Sequence, residues 1–231
     1  MSPRLTLAAL SLSTALALPA LAETRIYDVA GFDAIDVSAG IEVTFETGTS
    51  TSVIVENEDG DFDDIVVSSK DGTLTLKRPR RLSWGKRRPS YSVMVGTDAL
   101  SSLEASSGSS LTGNGVSADE LMLDVSSGAS ITVGGIVACE VSADSSSGAS
   151  MELDGTCDTI SAEASSGSTI SASDLVCDAL DAEVSSGASI RAHASDRVNA
   201  EASSGGSVRV KGGATNVTMD KSSGGSIRVS S

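Results

Sequence analysis

Aromatic side chains make up only 3% of this 231-residue chain, which has one Trp, two Tyr and three Phe. Single-stranded nucleic acids usually stack on aromatic rings, so this scarcity argues against such a platform. Basic residues are also few: 16 Lys and Arg stand against 31 Asp and Glu, and the net charge is −15. Because a negative field repels phosphate backbones, we predict no nucleic-acid partner.

The chain also lacks the short motifs that carry most catalytic and metal chemistry. His193 is the only histidine, and no spacing pairs it with a nucleophile or with other metal-ligating residues. The sequence contains no phosphate-binding glycine loop, no zinc-type cysteine spacing and no GGxGxD calcium repeat. We therefore predict no cofactor and no catalytic residue.

Long apolar runs are missing everywhere except at the amino terminus. Residues 1–22 carry one Arg, then a run rich in Leu and Ala, and they end in Ala20-Leu21-Ala22. This arrangement is typical of a secretory signal peptide; an uncleaved anchor is the alternative, but the run is short for a membrane span. We predict cleavage before Glu23 and an exported, periplasmic or extracellular protein that does not span the membrane.

The sequence contains seven copies of one motif: Ser-Ser-Gly, two small residues, then an aliphatic residue or Met. The glycines of this motif follow one another at intervals of 20, 20, 19, 20, 18 and 19 residues: Gly108, Gly128, Gly148, Gly167, Gly187, Gly205 and Gly224. So regular a period indicates stacked structural units.

Each unit predicts two strands, because apolar and polar residues alternate on both sides of the glycine. Three residues after the glycine, the inward column is Leu111, Ile131, Met151, Ile170, Ile190, Val208 and Ile227. Rungs of about 19–20 residues that pair in register form a solenoid. We predict an all-β fold, a single-stranded right-handed parallel β-helix. Ser-Ser-Gly would form its tight corner, with the second Ser pointing inward and the first outward.

A carboxylate stands four residues before each repeat glycine, and the alternation places it outward. We call this row the acidic stripe: Glu104, Asp124, Asp144, Glu163, Glu183, Glu201 and Asp220. Neighbouring charges about 5 Å apart repel by about 0.9 kcal/mol per pair even in water. Two interpretations are open: a surface for a polymer or a weak cation site, and a solvated face that prevents sideways association.

The chain before the regular repeat carries the same pattern less clearly. We predict irregular β-helix rungs over 23–102 and regular rungs over 103–231, with a basic loop at 77–90. The loop holds seven basic residues and the only Trp: Lys77, Arg78, Arg80, Arg81, Trp84, Lys86, Arg87 and Arg88. It is a candidate contact for anionic polymer, lipid headgroups or the acidic stripe of another copy; a disordered insertion is the alternative.

Two of the three cysteines occupy equivalent places in adjacent units. Cys157 and Cys177 are 20 residues apart, and each stands three residues before an inward aliphatic residue. Adjacent rungs would bring them within disulfide range, and export makes oxidation plausible. A bridge between Cys139 and Cys157 is the alternative.

Several phrases in a fixed order resemble a known family. They are GFDAIDVSAGIEVTFETG, DGTLTLK, YSVMVGTDALSSLEASSG and the tandem SSGAS rungs. Together, over about residues 25–229, they are similar to the head GIN domain family of bacterial adhesin-like proteins. The resemblance implies an exported, non-catalytic β-helix with an adhesive or envelope role. From the charged surfaces we expect its partner to be a cell-surface polymer, an envelope component or another copy of itself.

A carbohydrate-active enzyme, either a polysaccharide lyase or a hydrolase, is the alternative function, because such enzymes also use β-helices and paired carboxylates. The two functions make different structural predictions. One irregular rung whose carboxylates face a deep groove would favour the enzyme. Smooth, repeated walls would favour the binding module.

Overall fold

The computed structural model describes residues 22–58, 60–79 and 89–230, which form 17 strands and contain no helix that could cross a membrane. The predicted signal peptide, apart from Ala22, lies outside the described residues. The strands are β1 (Glu23–Tyr27), β2 (Ala34–Val37), β3 (Glu42–Glu46), β4 (Ser52–Asn57), β5 (Val66–Lys70), β6 (Thr73–Lys77), β7 (Ser92–Gly96), β8 (Ser102–Ala105), β9 (Ser110–Asn114), β10 (Ser117–Val125), β11 (Ser130–Ser145), β12 (Ser150–Ala164), β13 (Thr169–Val184), β14 (Ser189–Ala202), β15 (Ser207–Lys211), β16 (Asn216–Lys221) and β17 (Ser226–Val229).

The strands of the regular repeat stack as parallel rungs, which confirms the predicted parallel β-helix. Strands β11 to β14 each run from one Ser-Ser-Gly corner to the next, and each pairs with the same positions of the following rung. Ile131, for example, pairs with Met151, and Met151 pairs with Ile170. The repeat period therefore equals one turn of the solenoid.

The core is a set of columns that run through the stack. All seven members of the predicted inward column are buried, from Leu111 at 0% to Ile227 at 5% exposure, so this prediction is confirmed. The last rung differs at the inward positions before its corner. Val198 and Ala200 are buried, but Val217 and Met219, which pair with them one rung later, are 37% and 47% exposed. Their strand, β16, pairs with β14 on one side, and the part of the chain that the structure describes adds no strand on the other.

Each corner is a tight turn with two residues in the left-handed region. Ser127 and Gly128 have φ values of 53° and 70°, and the Ala129 N–H donates to the Ser126 carbonyl over 3.1 Å. Positive φ at both central positions defines a type I′ turn. The Gly128 N–H then donates to the Ser147 carbonyl of the next corner, over 3.1 Å, so the corners also stack on one another.

The prediction that the second corner serine points inward is wrong. Ser127 is exposed, and the residue that points inward is Ala129, at 2% exposure. Alternation from side to side holds only along extended backbone. Two consecutive left-handed residues reverse the chain and shift the inward position by two places.

The amino-terminal part is not a simple series of rungs. Strands β2 and β3 pair with β8 and β9 on one side, but on the other they pair with β6 and β7, which come later in the chain. Beyond these, β4 pairs antiparallel with β7, β1 with β4, and β5 with β6. The predicted irregular rungs over 23–102 are thus two rungs followed by antiparallel strands.

The irregular amino-terminal part buries aromatic side chains at this end of the solenoid. All three phenylalanines, Phe32, Phe45 and Phe62, are buried here together with Tyr91. In the columns of the regular rungs, each side chain stacks on the equivalent side chain of the next rung at the strand spacing. Aliphatic side chains pack readily at this spacing. The few aromatic residues are concentrated where the repeat is broken.

A disulfide joins Cys157 on β12 to Cys177 on β13, across adjacent rungs, with a Cα–Cα distance of 4.6 Å. Cys139 is a free thiol and is exposed. The neighbour of Cys157 in the preceding rung is Ala138, so the register leaves Cys139 one position away from that column. The alternative bridge between Cys139 and Cys157 does not form.

Candidate functional site

The structure places the seven predicted carboxylates of the acidic stripe in one row. Each pairs in register with the next, from Glu104 on β8 to Asp220 on β16. Six are exposed, and Asp144 is half-buried. The spacing of four residues before each glycine is what sets this row, because it puts every carboxylate at the same place on its rung.

An open groove with a volume of about 580 Å³ follows the stripe from Asp124 to Asp220. Besides the six carboxylates from Asp124 onward, it is lined by the first serine of five corners: Ser146, Ser165, Ser185, Ser203 and Ser222. We call it the acidic groove. Each of the five rungs from Asp144 onward therefore offers one carboxylate and one hydroxyl to a ligand in the groove.

The crowding of like charges is strongest in the middle and at the start of the stripe. Burial raises the pKa of the Asp144 carboxyl above its ordinary value, and Glu163 and Asp124 raise it further. Burial also raises the pKa of Glu104, to which Asp36 and Asp124 add. Ionised carboxylates here lose hydration and repel one another, so the row favours positive or hydrogen-bond-donating ligands.

Asp36 is an eighth member of the row that the sequence analysis left out of the acidic stripe. It pairs in register with Glu104, and burial raises its pKa while the charge of Lys77 lowers it. The signal was present in the sequence, because Asp36 stands four residues before Gly40, whose φ of 72° is that of a corner glycine.

The acidic stripe does not form a compact metal centre. Within the described ranges, no three His, Cys, Asp or Glu residues are grouped as a metal site requires. One carboxylate per rung, all facing the same way, gives a line of ligands rather than a cage. His193 belongs to no such group among the described residues. Its Nδ1 atom is buried and has no hydrogen-bond partner among them.

Six of the eight residues predicted for the basic loop, Arg80, Arg81, Trp84, Lys86, Arg87 and Arg88, lie outside the described residues. The other two differ in their surroundings. Lys77 is exposed. Arg78 has a side chain only 7% exposed, and it forms an ion pair with Asp64 over 2.6 Å.

The guanidinium of Arg78 has its donors occupied from several directions. Nε donates to the Ala39 carbonyl over 2.9 Å, and a terminal nitrogen donates to the Pro89 carbonyl over 2.6 Å. The group also lies 4.9 Å from the centre of the Tyr91 ring. Arg78 therefore holds the two ends of the loop against the body of the protein and does not face a ligand.

A second charged row was missed by the sequence analysis. Arg191, Arg209 and Arg228 pair in register on β14, β15 and β17 and are exposed. The signal was an Arg four residues after the glycine in each of the last three repeats. The feature is absent from the consensus of the seven copies, because only three of them have it.

Comparison with known proteins places the chain in a family. A family model described as "Putative auto-transporter adhesin, head GIN domain" matches residues 31–214. The chain belongs to the head GIN domain family. This confirms the resemblance drawn from the sequence phrases. None of the curated proteins matches the chain.

Three solved structures share the fold of the chain. A "putative adhesin" from Bacteroides fragilis has a TM-score of 0.81 at 19% identity, over 90% of this chain and 97% of that one. A "putative lipid binding protein" from Parabacteroides distasonis has a TM-score of 0.70 at 18% identity, over 91% and 97%. A "putative adhesin" from Parabacteroides merdae has a TM-score of 0.71 at 16% identity, over 91% and 96%. At these identities the likeness shows the fold alone.

Proposed function

We propose that this protein is an exported, non-catalytic β-helical binding module with an adhesin-like role at the cell envelope. The observation that carries the proposal is the uniformity of the acidic groove, in which rung after rung supplies one carboxylate and one serine. A catalytic site needs groups in different roles, with environments that push their pKa values apart. A repeated row supplies identical groups, which suits a ligand that is itself repeated.

The relatives support the adhesin-like part of the proposal. The family description and the Bacteroides fragilis structure both carry the word adhesin. The apolar run at residues 1–22 supports export. The groove would bind an extended envelope polymer that presents cationic groups or hydroxyl donors along its length, since each contact is weak and only many together give affinity.

The alternative, a polysaccharide lyase or hydrolase, has one observation in its favour. Asp144 is half-buried with a raised pKa, as a general acid would require. Its neighbours in the row are Asp124 and Glu163, however, and they stand at the ordinary spacing of adjacent rungs. The groove walls follow the repeat at this point, as the sequence analysis expected of a binding module.

The test compares the binding of two charge-matched variants to isolated cell envelopes. The groove variant carries Asp144→Asn, Glu163→Gln and Glu183→Gln. The control variant removes three carboxylates from outside the groove: Glu56→Gln, Glu152→Gln and Asp158→Asn. We expect the groove variant to bind at least about tenfold more weakly and the control to bind like the native protein. The control should melt close to the native protein, and the groove variant at the native temperature or above it, because it loses repulsion between adjacent carboxylates.

Two results would overturn the proposal. One is an equal loss of binding in both variants, which would show a response to net charge alone. The other is turnover of a polysaccharide by the native protein that Asp144→Asn abolishes. That outcome would assign the groove to an enzyme.

A further inference from the structure

Three arginines form a ladder on the outer face that follows the corners. Arg191 pairs directly with Arg209, and Arg209 pairs with Arg228, on three successive rungs. Parallel strands lie about 4.8 Å apart, so three guanidinium-bearing side chains leave the sheet at that interval. We call this row the arginine ladder. The acidic stripe lies before the corner glycines and the arginine ladder after them, so the two charged rows are separate surfaces.

The arginine ladder is a local departure from the repeat. The position four residues after the glycine holds, in the first four rungs, Thr112, Thr132, Glu152 and Ser171. In a chain with nearly twice as many acidic as basic residues, the last three rungs instead concentrate positive charge. Neighbouring arginines at this spacing repel by about 0.9 kcal/mol per pair even in water. A pattern that lowers the stability of the fold is characteristic of a functional surface.

No carboxylate of the described residues neutralises the ladder. The ion pairs nearest in sequence involve other basic residues, since Lys211 pairs with Asp174 over 3.3 Å and Arg197 with Asp181 over 3.6 Å. Within the described ranges, the three ladder guanidiniums form neither an ion pair nor a hydrogen bond. All fifteen of their N–H donors are therefore free to meet a ligand, as five belong to each guanidinium.

A row of hydroxyls runs beside the arginine ladder on the same face. Ser189, Ser207 and Ser226 stand two residues before the three arginines on the same strands, and they also pair in register. Guanidinium groups bind carboxylate, sulfate and phosphate in a two-pronged geometry. Serine hydroxyls both donate and accept, which suits sugar hydroxyls. The two rows together offer anion sites and hydroxyl sites at one common interval.

The surroundings of the arginine ladder favour a polymer over a lipid surface. The large apolar side chains that the described residues expose lie on other strands; β14, β15 and β17 carry none of them. A membrane contact usually combines basic residues with an exposed apolar group that enters the bilayer. The ladder face is instead polar and extended along the solenoid.

We propose that the arginine ladder and its serine row bind a linear anionic polysaccharide, bearing carboxylate or sulfate groups, that lies along the solenoid axis across the last three rungs. The inference rests on the proposed binding function and gives that function a second surface and a class of partner. The acidic groove and the ladder would then contact chemically opposite polymers from two sides of one rod.

The test uses dextran sulfate and polygalacturonate as probes, with neutral dextran as the uncharged reference. The ladder variant is Arg191→Gln, Arg209→Gln and Arg228→Gln. The control variant, Lys70→Gln, Arg197→Gln and Lys221→Gln, loses the same charge away from the ladder. We expect the native protein and the control to bind both anionic polymers, and neither to bind dextran. The ladder variant should bind at least about tenfold more weakly, while its circular dichroism stays native and its melting temperature does not fall, because the arginines repel one another.

Several outcomes would overturn the inference. Equal weakening in the control would assign the effect to net charge, and binding to phosphatidylglycerol vesicles but to neither polymer would assign the ladder to a lipid surface. Self-association that the ladder variant abolishes, without polymer binding, would assign it to a second copy. If envelope binding through the acidic groove persists while the anionic polymers fail to bind, the ladder proposal falls and the proposed function stands.

Discussion

Removing one charge from the middle of the acidic stripe is expected to stabilise the protein. Asp144 stands between Asp124 and Glu163 on adjacent rungs. Its pKa is raised by burial and by these two neighbours, so its ionised form is unfavourable in the folded state. Asp144→Asn keeps the shape of the side chain and removes the charge.

The spacing of the strands sets the size of the effect. Two unit charges about 4.8 Å apart repel by about 0.9 kcal/mol in water, and two neighbours together give about 1.7 kcal/mol. Screening by salt, with a Debye length of about 8 Å at physiological ionic strength, leaves about 1 kcal/mol. For a domain of this size, the melting temperature should rise by about 2–4 °C.

The effect has a definite direction with pH. Because the folded-state pKa of Asp144 is raised, the folded chain binds this proton more tightly than the unfolded chain does. The Asp144 charge therefore destabilises the folded protein at neutral pH, where Asp144 is ionised in both the folded and the unfolded chain. It disappears as the pH falls through the raised pKa and below the ordinary value of 3.8. The gain from Asp144→Asn should disappear in the same range.

Urea denaturation at neutral pH, in low and high salt, measures the gain. The control is Glu152→Gln, an exposed carboxylate whose neighbours in register, Thr132 and Ser171, are uncharged. We expect no measurable change in the control, and loss of the Asp144→Asn gain near 1 M salt, where the Debye length is about 3 Å. A lower stability of Asp144→Asn, or a gain that salt does not reduce, would refute charge crowding in the stripe.

Two substitutions and one thiol titration test the fold. Ser127→Asn should raise the free energy of unfolding by about 0.5 kcal/mol, because Asn tolerates the left-handed region better than Ser; no gain would argue against the type I′ corner. Gly113→Ala should lower it by about 1–3 kcal/mol, since a Cβ there would lie 2.5 Å from the Phe45 carbonyl oxygen; an unchanged melting temperature would contradict that packing. Thiol titration without reductant should find one free thiol per chain, Cys139, and three would exclude the disulfide.

The repeat predicts the regular rungs well because its signal is redundant. The inward column from Leu111 to Ile227 follows from period-two alternation, which holds wherever the backbone is extended. The corner could not be worked out in the same way. Alternation does not account for a pair of left-handed residues, so it predicts an inward Ser127 where the structure buries Ala129.

The amino-terminal part was less predictable for a different reason. Alternation in β4 and β6 identifies strands, but it is the same whether a strand pairs parallel or antiparallel. The position of β2 between β6 and β8 depends on contacts distant in sequence. Nothing local to any of these segments encodes that order.

The repeat predicts one part of the candidate site but not the rest. The acidic stripe could be predicted because every rung repeats it, whereas the role of Arg78 depends on Asp64 and Pro89, which no repeat relates to it. The spacing of the arginine ladder is present in the sequence, but the ladder occupies only three rungs.

The most direct test of a charged binding module is the salt dependence of its attachment to isolated cell envelopes. Attachment through the acidic groove or the arginine ladder should fall steeply between about 50 mM and about 1 M NaCl, because exposed charges are screened over that range. The groove and ladder variants should each reduce attachment at low salt. Attachment that stays constant across the whole range, or release of sugar fragments from the envelopes, would contradict a non-catalytic module that binds through its charges.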